Sequence, residues 1–557
     1  MIWLLMLSLI RQQPFEVEPW LSITARSWLK DSSLNPLLGT TDFPYERMAQ
    51  QAAHRLASYP STQRRLLVQV LETQYRASGL EPACSGLASL AMEQGVVIST
   101  AHQPNWLGGP AYWLHKMLST VALARSMQKI CPSYTWVPLY WMGSEDHDLD
   151  ELGYCEVQGQ RLEWPGPRGP LAFGRLEIPD IRALVSVMGE ILGNAPHTDR
   201  VMDLVNKAYL PGLSVAQATR RLAHFLLGPG GWLDEVRPGE PTLIVLDGDD
   251  PSLKALMGPV WEDQLLNPGL VASLVEQAQS EWSQRWGSTV DFQVREFPFF
   301  VLDGAQRKRV HHRSEGENLQ KDGWANLSPG AALRPLYQEK VLPGVAWLGG
   351  GAEQGYWSLL RPVFARYDVP FPLCFLRPSL TLVGSEDWQF WQSMGWSADD
   401  LGDPSRKLLE AWLNQRIQDQ SVPLPFWLWT EETRQSQVED FLRSVRAALV
   451  DNDVSMGSAV GAAEHRIQQE LERLFQMHRK SFRKKHRHTL EAAEKVMERI
   501  SPGGQPMERR EGMWKMLADG GPEGLAEAMD WLNPVSYASD LGQPWHRTVV
   551  VGVRESR

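Results

Sequence analysis

Cysteine is scarce in this chain of 557 residues, which has four: Cys84, Cys131, Cys155 and Cys374. They form no CxxC pair and stand at no zinc-finger spacing from histidine, so neither a disulfide framework nor a structural zinc site is expected. Scattered thiols in a chain of this length predict a reduced, cytoplasmic protein. Long hydrophobic runs are missing as well. The apolar start from Ile2 to Ile10 falls short of the roughly 20 residues that span a bilayer. It also lacks the charged lead-in and small-residue cleavage site of a signal peptide. A packed or frayed terminus is expected there, and no membrane partner. Excess positive charge is absent too. The formal net charge is −11, which argues against non-specific binding to nucleic acid. Neither GxGxxG nor a Walker A loop occurs, which weakens a P-loop kinase reading.

What is present is ordinary globular composition, 43% hydrophobic and 22% charged, in a chain long enough for roughly two to four structural units. The 24 tryptophans point first to cores and interfaces. Residues 40 to 95 read as helices, with Ser61 as the expected N-cap of a run from Thr62 to Tyr75. Then the pattern changes. The β-branched run Gly95 to Thr100 reads as a buried parallel strand, and a helical stretch from Ala111 to Lys129 follows. A second strand is expected from Trp136 to Met142, and strand, helix, strand is the unit of a doubly wound α/β sheet. Further strands are expected at Pro241–Leu246, Ala346–Leu348 and Pro370–Leu376, with 155 to 240 and 285 to 325 as insertions.

The loops that end these strands carry the chemistry, because ligands of such sheets bind beyond the carboxyl ends of the strands. His102-Gln103-Pro104 with Gly108-Gly109-Pro110 follows the first strand. There the glycines would let backbone approach an anion, and His102 would donate to a phosphate or carboxylate. A plain turn with an ordinary satisfied histidine is the alternative. Glu145-Asp146-His147-Asp148 follows the second strand. It suits a polar substrate pocket, a metal completed by ligands from elsewhere, or a solvated turn. Arg334, Gln338 and Glu339 precede Gly349-Gly350-Gly351 and Glu353, and Arg334 would clamp a carboxylate bidentately. From about 425 the chain turns helical and polar. Val438, Phe441, Leu442, Val445 and Leu449 lie at helical spacing, and Asn452-Asp453 and Gly457-Ser458 punctuate a turn. A second helix from about Ala459 to Ile500 carries Ile467, Leu471, Leu474, Ala493 and Val496 on its seam. At about 1.5 Å per residue it makes a rod on the order of 60 Å, which needs the first helix and another subunit to cover that seam. The basic run Arg479 to His488 reads as a solvated face paired with acidic neighbours, or else as a phosphate site.

Several segments together resemble the BshC family of bacillithiol biosynthesis: TAHQPNWLGGPAYWLHKMLST (100–120), VPLYWMGSEDHDLDEL (137–152), LDGDDPSLKALMGPVWE (246–262), LSPGAALRPLYQE (327–339), GGGAEQGYW (349–357) and SPGGQPMERREG (501–512). They run in the family's order from about residue 95 to 545. The resemblance implies a Rossmann-type doubly wound α/β core with connecting-peptide insertions, plus a C-terminal α-helical coiled coil that dimerises. The expected division is an N-terminal helical part of the core to 94, the core from 95 to 424, the coiled coil from 425 to 505, and a return to the core from 506. It also implies a carbon–nitrogen ligase that joins the carboxyl of L-cysteine to the amine of glucosaminyl-malate, the last step of the pathway. ATP or ADP is the implied nucleotide, and no metal is expected. On this footing His102, Asp146, His147 and Asp148 would be catalytic. Gln103, Asn105, Gly108, Gly109, Lys116, Glu145, Arg334, Gln338, Glu353, Tyr356 and Arg377 would bind substrate. Asp146 or Asp148 would take the proton of the amine. Two other readings remain: a non-catalytic nucleotide- or metabolite-binding protein with a coiled coil, and a metal-dependent hydrolase of an amino-sugar conjugate.

Overall fold

A computed structural model describes residues 7–14, 45–81, 85–287, 290–312, 324–402, 406–418, 431–450, 453–535 and 547–553. Residues before Leu7, Cys84 and Asn452 lie outside them. Five strands build the central sheet: β1 (Gly95–His102), β2 (Thr135–Met142), β3 (Ile244–Asp247), β4 (Gly344–Gly349) and β5 (Leu373–Leu376). Their order is β5-β4-β1-β2-β3 and every pairing is parallel. Each expected strand is present, with its ends moved by a few residues. The β-branched run of β1 is buried on both faces, as a parallel strand covered by helices must be. Between β1 and β2 runs α1 (Tyr112–Ile130), apolar around most of its circumference and buried accordingly.

The chain builds outward from β1 through β2 to β3, then crosses to the other side of β1 for β4 and β5. The crevice between the ends of β1 and β4 is therefore the topological switch point, where doubly wound sheets bind ligands. Register brings the strand ends level: His102 pairs with Met142, and Thr100 with Leu348. Two helices precede the sheet, Tyr45–Ser58 and Ser61–Ala77. The cap of the second is Pro60 and makes no side-chain bond, so Ser61 is the first helical residue rather than the cap. The segments expected as insertions fold into a hairpin, several helices and a small antiparallel sheet of Phe299–Asp303, Gln306–Arg309 and Leu327–Pro329.

Two compact units make up the chain, residues 1–383 with 505–557, and residues 384–504. The second thus begins about Gly384 rather than near 425, since it also holds the helices α2 (Ser385–Ser393) and α3 (Arg406–Gln418). Its hairpin is α4 (Glu431–Val450) and α5 (Gly457–Lys485), followed by α6 (Arg487–Ile500). The single rod expected to Ile500 is broken at His486 (φ −101°, ψ 17°). There the imidazole lies against the rings of Phe482 and Trp412, 4.5 and 5.6 Å away. The basic run does pair with acid in part, for Arg483 meets Glu410 at 2.8 Å and Arg479 bonds the same carboxylate. In the first unit the returning chain forms α7 (Trp514–Trp531), whose Trp514 indole donates to the Leu107 carbonyl at 2.9 Å. Among the described residues no helix is long and apolar enough to cross a membrane.

Candidate active site

At the switch point a cavity of about 100 Å³ is lined by His102 at the end of β1 and Gln103 just after it, Glu145 and Asp146 after β2, and Gly248 after β3. Arg334, Tyr337, Glu353, Tyr356, Trp141 and Arg307 complete its polar and aromatic wall. Pockets that enclose a whole ligand usually exceed about 300 Å³, so this one is too small to enclose a ligand of that kind. The two loops expected to cooperate do meet, for Gln103 Nε2 donates to Asp146 Oδ2 at 2.9 Å.

Each carboxylate has a different environment. Burial works against the charge of Asp146, but Arg307 at 3.2 Å and the Gln103 amide outweigh it, holding the carboxyl below its ordinary range. Burial pushes Glu145 up to about 7, although Lys254 Nζ stands 2.6 Å from its Oε1. Lys254 is fully buried and also pairs with Asp249 at 2.6 Å, so its own partners keep it charged. Across the crevice Glu353 Oε2 accepts from Lys116 at 2.6 Å and from the Gly350 N–H at 2.8 Å. Burial opposes the charge of Glu353, and Lys116 more than offsets it.

His102 is held as a neutral ring. Burial, helped by Lys116, pushes its pKa down to about 3. Its Nδ1 lies 3.0 Å from the Gln103 carbonyl, which can only accept, so Nδ1 carries the proton and Nε2 is left as an acceptor. The expected donation from His102 to a phosphate is therefore corrected to acceptance from an N–H, O–H or S–H group. Arg334 is held by the Gln338 amide oxygen at 3.0 Å and the Tyr356 hydroxyl at 3.4 Å. Among the described residues it has no carboxylate within ion-pair distance, and it lines the cavity.

Not all the expected residues face the cavity. Asn105, Gly108 and Gly109 form a buried turn, with Leu107, Gly108 and Gly109 at φ 47°, 75° and 54°. A Cβ on Gly109 would come within 2.6 Å of the Asn105 amide, and one on Gly108 within 2.9 Å of Met513. Positive φ and these contacts require glycine at both positions, and neither residue lines the cavity. His147 is partly exposed. Asp148 is exposed and accepts the Glu151 N–H at the start of a short helix. Gln338 lies beneath Arg334 and also donates to Ser99; Lys116 and Arg377 stand behind the wall. Arg307, Tyr337, Lys254 and Asp249 were not expected. Of these Tyr337, Lys254 and Asp249 fall in the segments that carry the family resemblance and Arg307 does not, and no local spacing marks any of the four. Among the described residues no group of three or more His, Cys, Asp or Glu stands where it would hold a metal.

Fold and site define a doubly wound α/β protein with a charged pocket at its switch point and a helical second unit. Comparison with known families gives two matches: the N-terminal Rossmann-like domain of bacillithiol biosynthesis BshC over residues 33–378, and the C-terminal coiled-coil domain of BshC over residues 381–539. The chain belongs to the BshC family. A relative from Flavobacterium psychrophilum is 26% identical over 490 residues, covering 85% of this chain and 88% of its own. One from Christiangramia forsetii is 25% identical over 510 residues, covering 88% and 91%. Both are provisionally named cysteine ligase BshC.

Proposed function

We propose that this protein joins the carboxyl of L-cysteine to the amine of a glucosaminyl-malate-type acceptor, forming an amide with a nucleoside triphosphate as the activating co-substrate. The observation that carries this reading is the pocket itself: one cavity at the switch point offers, on one wall, a guanidinium with no ion-paired carboxylate among the described residues and, on the other, a raised carboxyl. The relatives' names give cysteine ligation, which agrees with the cysteine half of this reading. Amide formation needs an activated acyl group and an amine that has lost its proton. Arg334 and Arg307 supply positive charge for the carboxylate or a transferred phosphoryl group, in place of the glycine turn. Glu145 is a better proton acceptor than Asp146 or Asp148. Its pKa is near the working range, whereas Arg307 holds Asp146 below it and Asp148 faces solvent. His102 Nε2 accepts from the amine or the thiol and so orients the reacting end.

The cysteine carboxylate would attack a phosphoryl group of the nucleotide, expelling pyrophosphate if the α-phosphorus is attacked. The acceptor amine would then add to the acyl carbon and release AMP, its proton passing to Glu145. Cysteine labelled with ¹⁸O in its carboxyl tests the step. One label should appear in AMP by this route, and in inorganic phosphate if the γ-phosphorus is attacked. Product formed with no label in either would exclude nucleotide activation.

A further inference from the structure

Glu508 lies in the segment that returns to the sheet domain and is 2% exposed. Its Oε2 accepts from His115 Nδ1 at 2.8 Å and the Leu380 N–H at 3.2 Å, and its Oε1 from Arg377 Nη2 at 2.7 Å. One carboxylate thus ties together α1, the chain just after β5 and the returning segment. Arg377 in turn donates its backbone N–H to the Gly349 carbonyl at 2.9 Å, and its guanidinium lies 5.7 Å from the Tyr112 ring. Tyr112 stands edge-on to His102 at 5.2 Å, with the Lys116 ammonium 5.9 Å from its ring. Two buried cations stand behind the pocket wall, and each is ion-paired with a different carboxylate. Lys116 pairs with Glu353 at 2.6 Å, and Arg377 pairs with Glu508.

We propose that Glu508 is a positioning residue for the pocket: by holding Arg377 it leaves Glu353 to Lys116 alone and keeps Tyr112 against His102. If Glu508 were neutral, Glu353 would be the carboxylate nearest two buried cations, an imbalance that a low-dielectric interior resists strongly. Glu353 already acts electrostatically on Arg377. Among the described residues Arg377 Nε has no hydrogen-bond partner, so the guanidinium has a donor with which to turn. Arg377 would then take Glu353, and Lys116 would lose the contact that sets the pocket wall. The chain beyond the helical unit therefore helps to complete the site.

The turnover arm of the test rests on the ligase reading, whereas the structural arm does not. Glu508→Gln keeps the volume and removes the charge. Assayed below its melting transition, it should lose about tenfold or more in kcat, with KM for cysteine changed by less than about threefold. Glu508→Asp should recover part of the loss. The double variant Glu508→Gln/Arg377→Met restores the charge match. It should regain melting temperature and fall no further in kcat than Arg377→Met alone, a comparison that stands even if Glu508→Gln fails to fold. A crystal structure of Glu508→Gln, or of Glu508→Asp if the first does not fold, should show Arg377 turned toward Glu353. Wild-type kcat in the folded variant, additive losses in the double variant, or an unmoved Arg377 would overturn the positioning role. If the wild-type protein forms no product, the ligase reading falls instead, and the crystal structure alone decides.

Discussion

Glu145 and Asp146 are chain neighbours with opposite titration behaviour, and the cause is what each faces. Asp146 meets a guanidinium and an amide donor, so it stays ionised. Glu145 points into a buried cluster where burial outweighs Lys254, and its carboxyl titrates near 7. A carboxyl must lose its proton before it can accept one, and a raised pKa delays that loss. Turnover should therefore climb as pH rises through about 7, and Glu145→Gln should flatten that limb and cut kcat by roughly 10²-fold or more. A rate profile unchanged in the variant would remove Glu145 from proton transfer. The sequence made the acidic cluster visible as a candidate, but not the division of labour inside it. Arg307 sits on a hairpin 161 positions from Asp146, and no local pattern announces such a partner. The tautomer of His102 was equally hidden, because it depends on which way the ring turns toward its own neighbour's carbonyl.

Strands were legible because a β-branched run between turn residues can bury both faces in few ways. The turn after β1 was legible as a turn, and the sequence left open whether it also cradles an anion. Its glycines are required by positive φ and by the Asn105 amide rather than by a ligand. Gly109→Ala should therefore destabilise the fold by about 1–3 kcal/mol, seen as a lower denaturation midpoint, while KM for the nucleotide stays within about twofold in the protein that remains folded. A large KM effect at unchanged stability would restore the anion-cradle reading. The break at His486 escaped notice because apolar spacing continues through it. At the break the His486 ring packs against Trp412, more than seventy positions away, and periodicity carries no information about such a partner.

At the scale of the molecule, family membership joins a sheet domain to a coiled-coil domain, and the apolar faces of the second remain open in one chain. Phe441, Leu474 and Met477 are 60%, 56% and 58% exposed, an arrangement that favours burial against a second copy. We expect the full chain to sediment as a dimer at micromolar concentration. Replacing residues 384–504 by a short flexible linker should give a monomer. Such a join is feasible because Leu380 and Glu508, on either side of the excised unit, are hydrogen-bonded at 3.2 Å. A monomeric full-length chain would refute this. The central claim is chemical, and one measurement meets it directly: mass spectrometry of purified protein incubated with L-cysteine, glucosaminyl-malate and ATP. The account predicts a product with the mass of the two substrates less one water, absent without ATP and strongly reduced in Glu145→Gln. ATP-dependent consumption of neither substrate, or an equal yield from that variant, would contradict it.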